Sequence, residues 1–192
     1  VVIENNIFSH ATNGTAPLVY FLDSTIHTLY NNVIYSAGQI GVGLQFDNTS
    51  SGTVENNIIN GFNVGFYKNT TGTVTNDYNL VYGAVTSYSG LSSGVHSISS
   101  NPLFADPVFL DFSLQLSSPA IDAGTTYDVM TSTTTDYASN PIYGTPDIGA
   151  YEYQPPYTIT VTDPQYSGNL RIYGDGKYRY TTATTTTATA SL

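Results

Sequence analysis

The sequence predicts an all-β chain wound as a right-handed parallel β-helix, a β-solenoid, with a C-terminal β-strand and hairpin appendage. Three observations point there. An Asn-Asn pair followed by two apolar residues appears at Asn5-Asn6-Ile7-Phe8, Asn31-Asn32-Val33-Ile34 and Asn56-Asn57-Ile58-Ile59, successive pairs being 26 and 25 residues apart. That interval suits one coil of a solenoid. Short stretches also alternate apolar with polar residues, as half-buried strands do: Val42, Leu44 and Phe46 form one face, and Val64 and Phe66 repeat it. Finally, polarity is carried by Asn, Ser, Thr, Gly and Tyr, a composition of strands and turns, and no amphipathic helix is visible.

The Asn pair has a physical logic. Asn enters the left-handed backbone region more easily than other non-Gly residues, so it can bend the chain between two strands. Stacked coils then bring equivalent side chains to about 4.8 Å, where amides hydrogen-bond along the stack. A fourth, degenerate copy is read at Gly72-Thr73-Val74-Thr75-Asn76-Asp77-Tyr78, echoing Gly52-Thr53-Val54-Glu55-Asn56. Residues 1 to about 100 are expected to form four or five coils, and the whole body five or six. Val1 already lies inside a repeat, which predicts either a longer parent chain or a neighbour over the first coil.

The chain has 192 residues, only 9% of them charged, with 14 acidic against 4 basic side chains and a net charge of -10. Nucleic acid is therefore an unsuitable partner. No apolar run is long enough for a membrane span, and without cysteine there is neither disulfide nor thiolate chemistry.

Aligning the coils on their repeated phrases stacks Asp23 on Asp47, with Lys68 or Asn69 above. These residues are either the catalytic candidates of the body or polar ends of strands. Glycoside hydrolysis needs two carboxylates about 5 to 5.5 Å apart for retention or about 6.5 to 9.5 Å for inversion. Asp23 and Asp47 on adjacent coils suit the first. His10, His27 and His96 are scattered and suggest neither triad nor metal site. Tyr20, Tyr35 and Tyr67 are candidate sugar-stacking platforms, although tyrosine is equally a good strand former. Asn13, Asn48 and Asn69 head glycosylation sequons in predicted turns.

From residue 101 the character changes: Asn101-Pro102-Leu103-Phe104-Ala105-Asp106-Pro107, then Phe112-Ser113-Leu114, Ser117-Ser118-Pro119-Ala120-Ile121-Asp122-Ala123-Gly124 and Asp147-Ile148-Gly149-Ala150-Tyr151-Glu152. This series resembles the C-terminal region of secreted right-handed parallel β-helix proteins of the pectate-lyase-like superfamily, many of them large surface proteins. The resemblance spans residues 1–153 and implies an extracellular or cell-surface location. It leaves activity open, since the superfamily includes lyases, hydrolases, epimerases and adhesins. Uronate lyases of that kind use a basic residue to abstract a proton, and Lys68 is the only lysine of the body. Ile142 stands where the family often carries Arg, so Asp122, Asp136, Asp147 and Glu152 need other partners. Backbone amides holding turns are one solution; a bound calcium is the other.

Gln154-Pro155-Pro156 reads as a linker, dividing a body of residues 1–153 from a tail of residues 154–192. In the tail, Gly174-Asp175-Gly176 between two strand-like runs predicts a hairpin. Arg171, Lys177 and Arg179 make this tail basic against an acidic body, the expected assembly residues for self-association. The expected function is an extracellular structural or adhesive solenoid that self-assembles into filaments and contacts polysaccharide. The alternative is the C-terminal part of a polysaccharide lyase or glycoside hydrolase whose main catalytic coils lie upstream.

Overall fold

The structure, a computed structural model, describes residues 1–10, 14–23, 25–126, 134–155, 157–161, 170–172, 178–180 and 186–190. The Asn13 sequon and Lys177 lie outside them. The chain divides into two units, Val1–Tyr153 and Gln154–Leu192.

The first unit is a parallel β-solenoid with three sheets of four strands each. Sheet A holds β1 (Val2–Glu4), β4 (Ile26–Tyr30), β7 (Ser51–Glu55) and β10 (Val74–Asp77). Sheet B holds β2 (Ile7–His10), β5 (Val33–Ser36), β8 (Ile58–Asn60) and β11 (Leu80–Tyr82). Sheet C holds β3 (Pro17–Phe21), β6 (Val42–Asn48), β9 (Val64–Thr70) and β12 (Thr86–Ser89). The chain makes three full turns from β1 to β10, and β10 to β12 begin a fourth. That is fewer than the five or six coils expected, because the described residues from 101 to 153 do not continue the winding.

Both residues of each Asn pair have separate work. The first, Asn5, Asn31 or Asn56, sits in the left-handed region at φ 53, 51 and 57° and turns the chain from sheet A to sheet B. The second points inward and builds an amide ladder. Asn6, Asn32 and Asn57 donate Nδ2 to Oδ1 of Asn32, Asn57 and Asn79 at 3.3, 2.9 and 3.1 Å. Each acceptor also takes the backbone N–H of the preceding rung, at 3.0 to 3.1 Å. Asn79 donates its own N–H to Ser97 Oγ at 3.3 Å, where the ladder ends.

This ladder corrects the fourth repeat. Val74 pairs with Gly52 and Asn76 with Val54, so the echo of the Gly-Thr-Val phrase is two residues out of register. The true copy is Tyr78-Asn79-Leu80-Val81, 22 residues after its predecessor. Tyr78 takes the left-handed turn at φ 51° in place of Asn.

Inside the solenoid, Val19, Leu29, Ile34, Leu44, Phe46, Val54, Ile59, Phe62, Phe66 and Val81 form one buried core. Aromatic rings run up it from Phe21 through Phe46 and Phe66 to Tyr88, with successive centroids 4.9, 6.0 and 6.2 Å apart. A second core lies on the other side of sheet B. There Val33, Ile58 and Leu80 pack against Phe104, Phe112, Leu114, Ala120, Ile148 and Ala150. The described residues of 101–126 and 134–153 thus lie along the flank of the solenoid, with their core over the outer face of sheet B.

The flank is built from an antiparallel pair, β13 (Phe104–Asp106) and β14 (Asp111–Leu114), joined by a 3-10 turn at Pro107–Phe109, followed by irregular chain. It is tied on by the first Asn of each pair. Asn5 Nδ2 donates to Thr135 O, Asn31 Nδ2 to Asp147 O, and Asn56 Nδ2 to Thr125 O. Asn56 Oδ1 also accepts from Thr125 N–H at 2.9 Å, so its amide engages that residue as a neighbouring strand would.

In the second unit, β15 (Tyr157–Val161) pairs antiparallel with β18 (Thr186–Ala190). β16 (Leu170–Ile172) pairs antiparallel with β17 (Tyr178–Tyr180), with Ile172 opposite Tyr178; the Gly-Asp-Gly segment lies outside the described residues.

Candidate functional site

The outer face of sheet C is the polar, aromatic strip of the first unit. Strand register places Tyr20 beside Gln45, Gln45 beside Tyr67 and Tyr67 beside Ser89. These positions alternate with the buried Leu44, Phe46 and Phe66, so the same pleat that fills the core presents this row to solvent. One step along, Asp47 lies beside Asn69.

Asp47 organises the strip. Its Oδ2 accepts from Tyr20 Oη at 3.2 Å and Gln45 Nε2 at 3.1 Å, and its Oδ1 accepts from Asn69 Nδ2 at 2.9 Å and Asn48 N–H at 2.8 Å. The Asn48 N–H foremost, then the side chains of Gln45, Tyr20 and Asn69, outweigh the cost of partial burial and hold Asp47 below the usual carboxylate range. Partial burial, with the adjacent Asp47 charge, raises the Tyr20 hydroxyl above its ordinary value. The result is a fixed anion between an exposed phenol and two amides.

Asp23 does not join it. The register of β3 with β6 runs Tyr20–Gln45 and Phe21–Phe46, so it continues to Leu22, not Asp23, at Asp47. Asp23 Oδ1 instead bonds His27 Nε2 at 2.6 Å and Thr25 Oγ1 at 2.9 Å. The His27 and Thr25 bonds lower its pKa. His27 is 4% exposed and stacks on Phe21 with centroids 4.0 Å apart. Both polar contacts of that ring use Nε2, while buried Nδ1 has no partner, so the group cannot relay a proton through the ring. Lys68 pairs in register with Phe46, and its Nζ donates to Thr70 O at 2.8 Å. Asp23, Asp47 and Lys68 thus sit in three different environments and do not form the expected column.

Tyr20 and Tyr67 share the strip, with Tyr20 44% exposed. Tyr35 belongs to sheet B, where its ring meets Phe112 at 5.0 Å and Phe104 at 6.3 Å under the flank. Asn48 and Asn69 are both exposed. Asn69, however, already donates its amide nitrogen to Asp47, so a glycan there leaves that nitrogen a single N–H for the bond.

Three of the four acidic candidates of the flank are held by backbone amides, and the fourth, Asp122, is exposed and contributes its N–H. Asp136 accepts from Asn140 N–H at 2.8 Å and Glu152 N–H at 3.0 Å. Glu152 accepts from Asp147 N–H at 3.0 Å and Tyr143 N–H at 2.9 Å. Asp147 accepts from Tyr153 N–H at 2.6 Å and Asp122 N–H at 2.7 Å. Three buried carboxylates are thereby knotted through one another's backbone. Among the described residues, no group of three or more His, Cys, Asp or Glu side chains is arranged to hold a metal.

That knot predicts a pH dependence. Burial foremost, opposed by the backbone bonds and aided by neighbouring acids, raises Asp147 to about 6 and Glu152 to about 7. Between their ordinary values and these, the folded state binds protons that the unfolded state has lost, so stability falls as pH rises through that window. Asp47 and Asp23 act oppositely: their contribution is complete above 3.8 and lost as pH falls through their lowered folded values. Thermal unfolding is therefore expected to show a stability maximum in mild acid, with a loss of about 2 to 4 kcal/mol on going from about pH 5 to about pH 8, the upper figure being the undiscounted sum for the two carboxyls. A flat profile over that interval would mean the carboxylates are fully ionised in both states.

Comparisons of the chain with protein-family models, with curated proteins and with solved structures returned no match. The parallel β-solenoid rests on the structure itself.

Proposed function

We propose that this chain is an extracellular, adhesive β-solenoid module that contacts polysaccharide through the outer face of sheet C. The observation that carries the reading is the row Tyr20–Gln45–Tyr67 with Asp47 fixed at its side by four donors. Phenol rings offer flat apolar surface with a polar tip. Amides and a carboxylate beside them supply the donors and acceptors that a sugar hydroxyl needs. All sit on strands, so the strip is held in place before any ligand arrives, which lowers the cost of binding. Asp47 has hydroxyl and amide neighbours rather than a second carboxylate, so the strip favours binding over glycosidic cleavage.

Calorimetric titration with neutral and acidic polysaccharide fragments tests this. Tyr67→Ala is expected to weaken binding about tenfold, the scale of one lost aromatic contact, with unchanged unfolding temperature. Tyr35→Phe, on sheet B, is expected to leave affinity unaltered. Equal affinity of wild type and Tyr67→Ala would remove the strip from consideration, and turnover of any fragment by wild type would reopen the hydrolase or lyase reading.

A further inference from the structure

Asp47 gives the sheet C strip a fixed hydrogen-bonding polarity. An ionised carboxylate only accepts, through about four lone-pair sites. Tyr20 Oη and Gln45 Nε2 take Oδ2, and Asn69 Nδ2 and the Asn48 N–H take Oδ1, so all four are used. Asp47 is thus occupied by its own neighbours and acts on a ligand through the groups it orients. Because a carboxylate cannot donate, the nitrogen of each side-chain amide must face it, and Gln45 Oε1 and Asn69 Oδ1 point away. The Tyr20 proton is also spent on Asp47, which leaves the phenol oxygen to accept. Each amide keeps one N–H, but oxygens dominate what these three residues offer, and a full negative charge stands beside them.

A ligand for such a surface has to donate. Sugar hydroxyls do so, whereas the carboxylates of uronates and the sulfates of sulfated glycans only accept, and they bring charge of the wrong sign. The wider field agrees, with 14 acidic side chains against 4 basic ones in the sequence. Lys68, the only Lys or Arg of residues 1–153, has its Nζ turned to Thr70 O at 2.8 Å.

Spacing bears on the linkage. Tyr20, Gln45, Tyr67 and Ser89 follow one another across adjacent strands, each step being about 4.8 Å. The two tyrosine positions are therefore about 9.6 Å apart along the solenoid axis. An extended chain of pyranoses joined through equatorial bonds advances by close to one such step per sugar and turns over at each link. Its first and third rings then show the same face at nearly the spacing of Tyr20 and Tyr67, with the middle sugar over Gln45. Axial linkages make a chain coil, so its rings leave any common plane.

We propose, building on the glycan reading of sheet C, that the strip takes a neutral, equatorially linked glycan lying along the solenoid axis across β3, β6, β9 and β12, and turns away uronate and sulfated chains. Four strands give room for about four sugars.

Calorimetry of the full chain with cellohexaose, maltohexaose and hexagalacturonate separates linkage from charge: the first two are neutral, and only the first is equatorially linked. Wild type is expected to bind cellohexaose about tenfold or more tightly than either of the others, the scale of one lost stacking contact or hydrogen bond. Affinity is expected to rise from cellobiose to cellotetraose and then level off, as the strands run out. Rejection of hexagalacturonate is expected to persist in about 1 M salt, where charges are screened beyond about 3 Å. Asp47→Asn accepts through one oxygen only and brings a donor of its own, so it frees neighbouring donors for the ligand. In that variant hexagalacturonate is expected to gain about tenfold relative to cellohexaose, with the unfolding temperature as the check on folding; the wild-type comparisons stand without it. Absence of binding by all three sugars removes the sheet C reading and this selectivity with it. Equal or tighter binding of maltohexaose or hexagalacturonate, rescue of hexagalacturonate by salt, or an unaltered ratio in folded Asp47→Asn overturns the selectivity alone and leaves the strip a glycan site.

Discussion

Asn57→Ala is expected to lower unfolding free energy by about 4 kcal/mol or more, since several buried groups lose their partners at about 1 to 3 kcal/mol each. Asn57 is fully buried in the middle of the ladder. Its Nδ2 donates to Leu29 O at 2.9 Å, Glu55 O at 2.8 Å and Asn79 Oδ1 at 3.1 Å. Its Oδ1 accepts from Asn32 N–H at 3.1 Å and Asn32 Nδ2 at 2.9 Å. Alanine breaks all five contacts at a site closed to solvent. Asn6→Ala, at the part-buried end of the ladder, removes fewer contacts and is expected to cost about 1 kcal/mol. Urea unfolding of both variants measures the contrast, and equal losses would show that the ladder is not cooperative along its length.

Phe112→Ala is expected to cost about 3 to 5 kcal/mol, the range for truncating a buried aromatic ring. Phe112 is 1% exposed and touches Tyr35 and Phe104 at ring centroids 5.0 and 5.2 Å. The more telling expectation concerns cooperativity. Sheet B is packed on both faces, Ile34 and Ile59 inward and Val33 and Ile58 outward, so loosening the flank bares apolar strand surface. Flank and solenoid are therefore expected to melt together in the variant, at one lowered temperature. Two separate transitions would show that the coils stand without their flank.

The coils were legible because a buried ladder demands the same residue at the same point of every turn. An amide at Asn32 is useful only if Asn6 and Asn57 lie beneath and above it, and that requirement survives in sequence as a period. The fourth turn was misread because the left-handed corner tolerates Tyr78, leaving a single Asn79 where a pair was sought. The nearby Gly-Thr-Val phrase then offered a false match. The same slippage separated Asp23 from Asp47: loops between coils differ in length, so only strand register fixes which side chains meet.

The flank was the larger surprise, although a signal for it exists. Val33-Ile34, Ile58-Ile59 and Leu80-Val81 are adjacent apolar residues in strands, and adjacent residues point to opposite faces. Two apolar neighbours in each strand of one sheet mean that both faces are covered. The aromatic strip was legible in its residue types but not its membership, since nothing in the spacing distinguishes Tyr67, on an open sheet, from Tyr35, on a covered one.

The flank also acts as a ruler. Thr135 engages the first turn at Asn5, Asp147 the second at Asn31, and Thr125 the third at Asn56. An amide ladder by itself has no preferred number of rungs, so duplication of a coil costs it nothing. A segment of fixed length clasping three successive corners does set a number. An inserted repeat would carry its own outward apolar residue past the end of the clasp, exposed to water, so this protein can change its copy number only if both layers lengthen together.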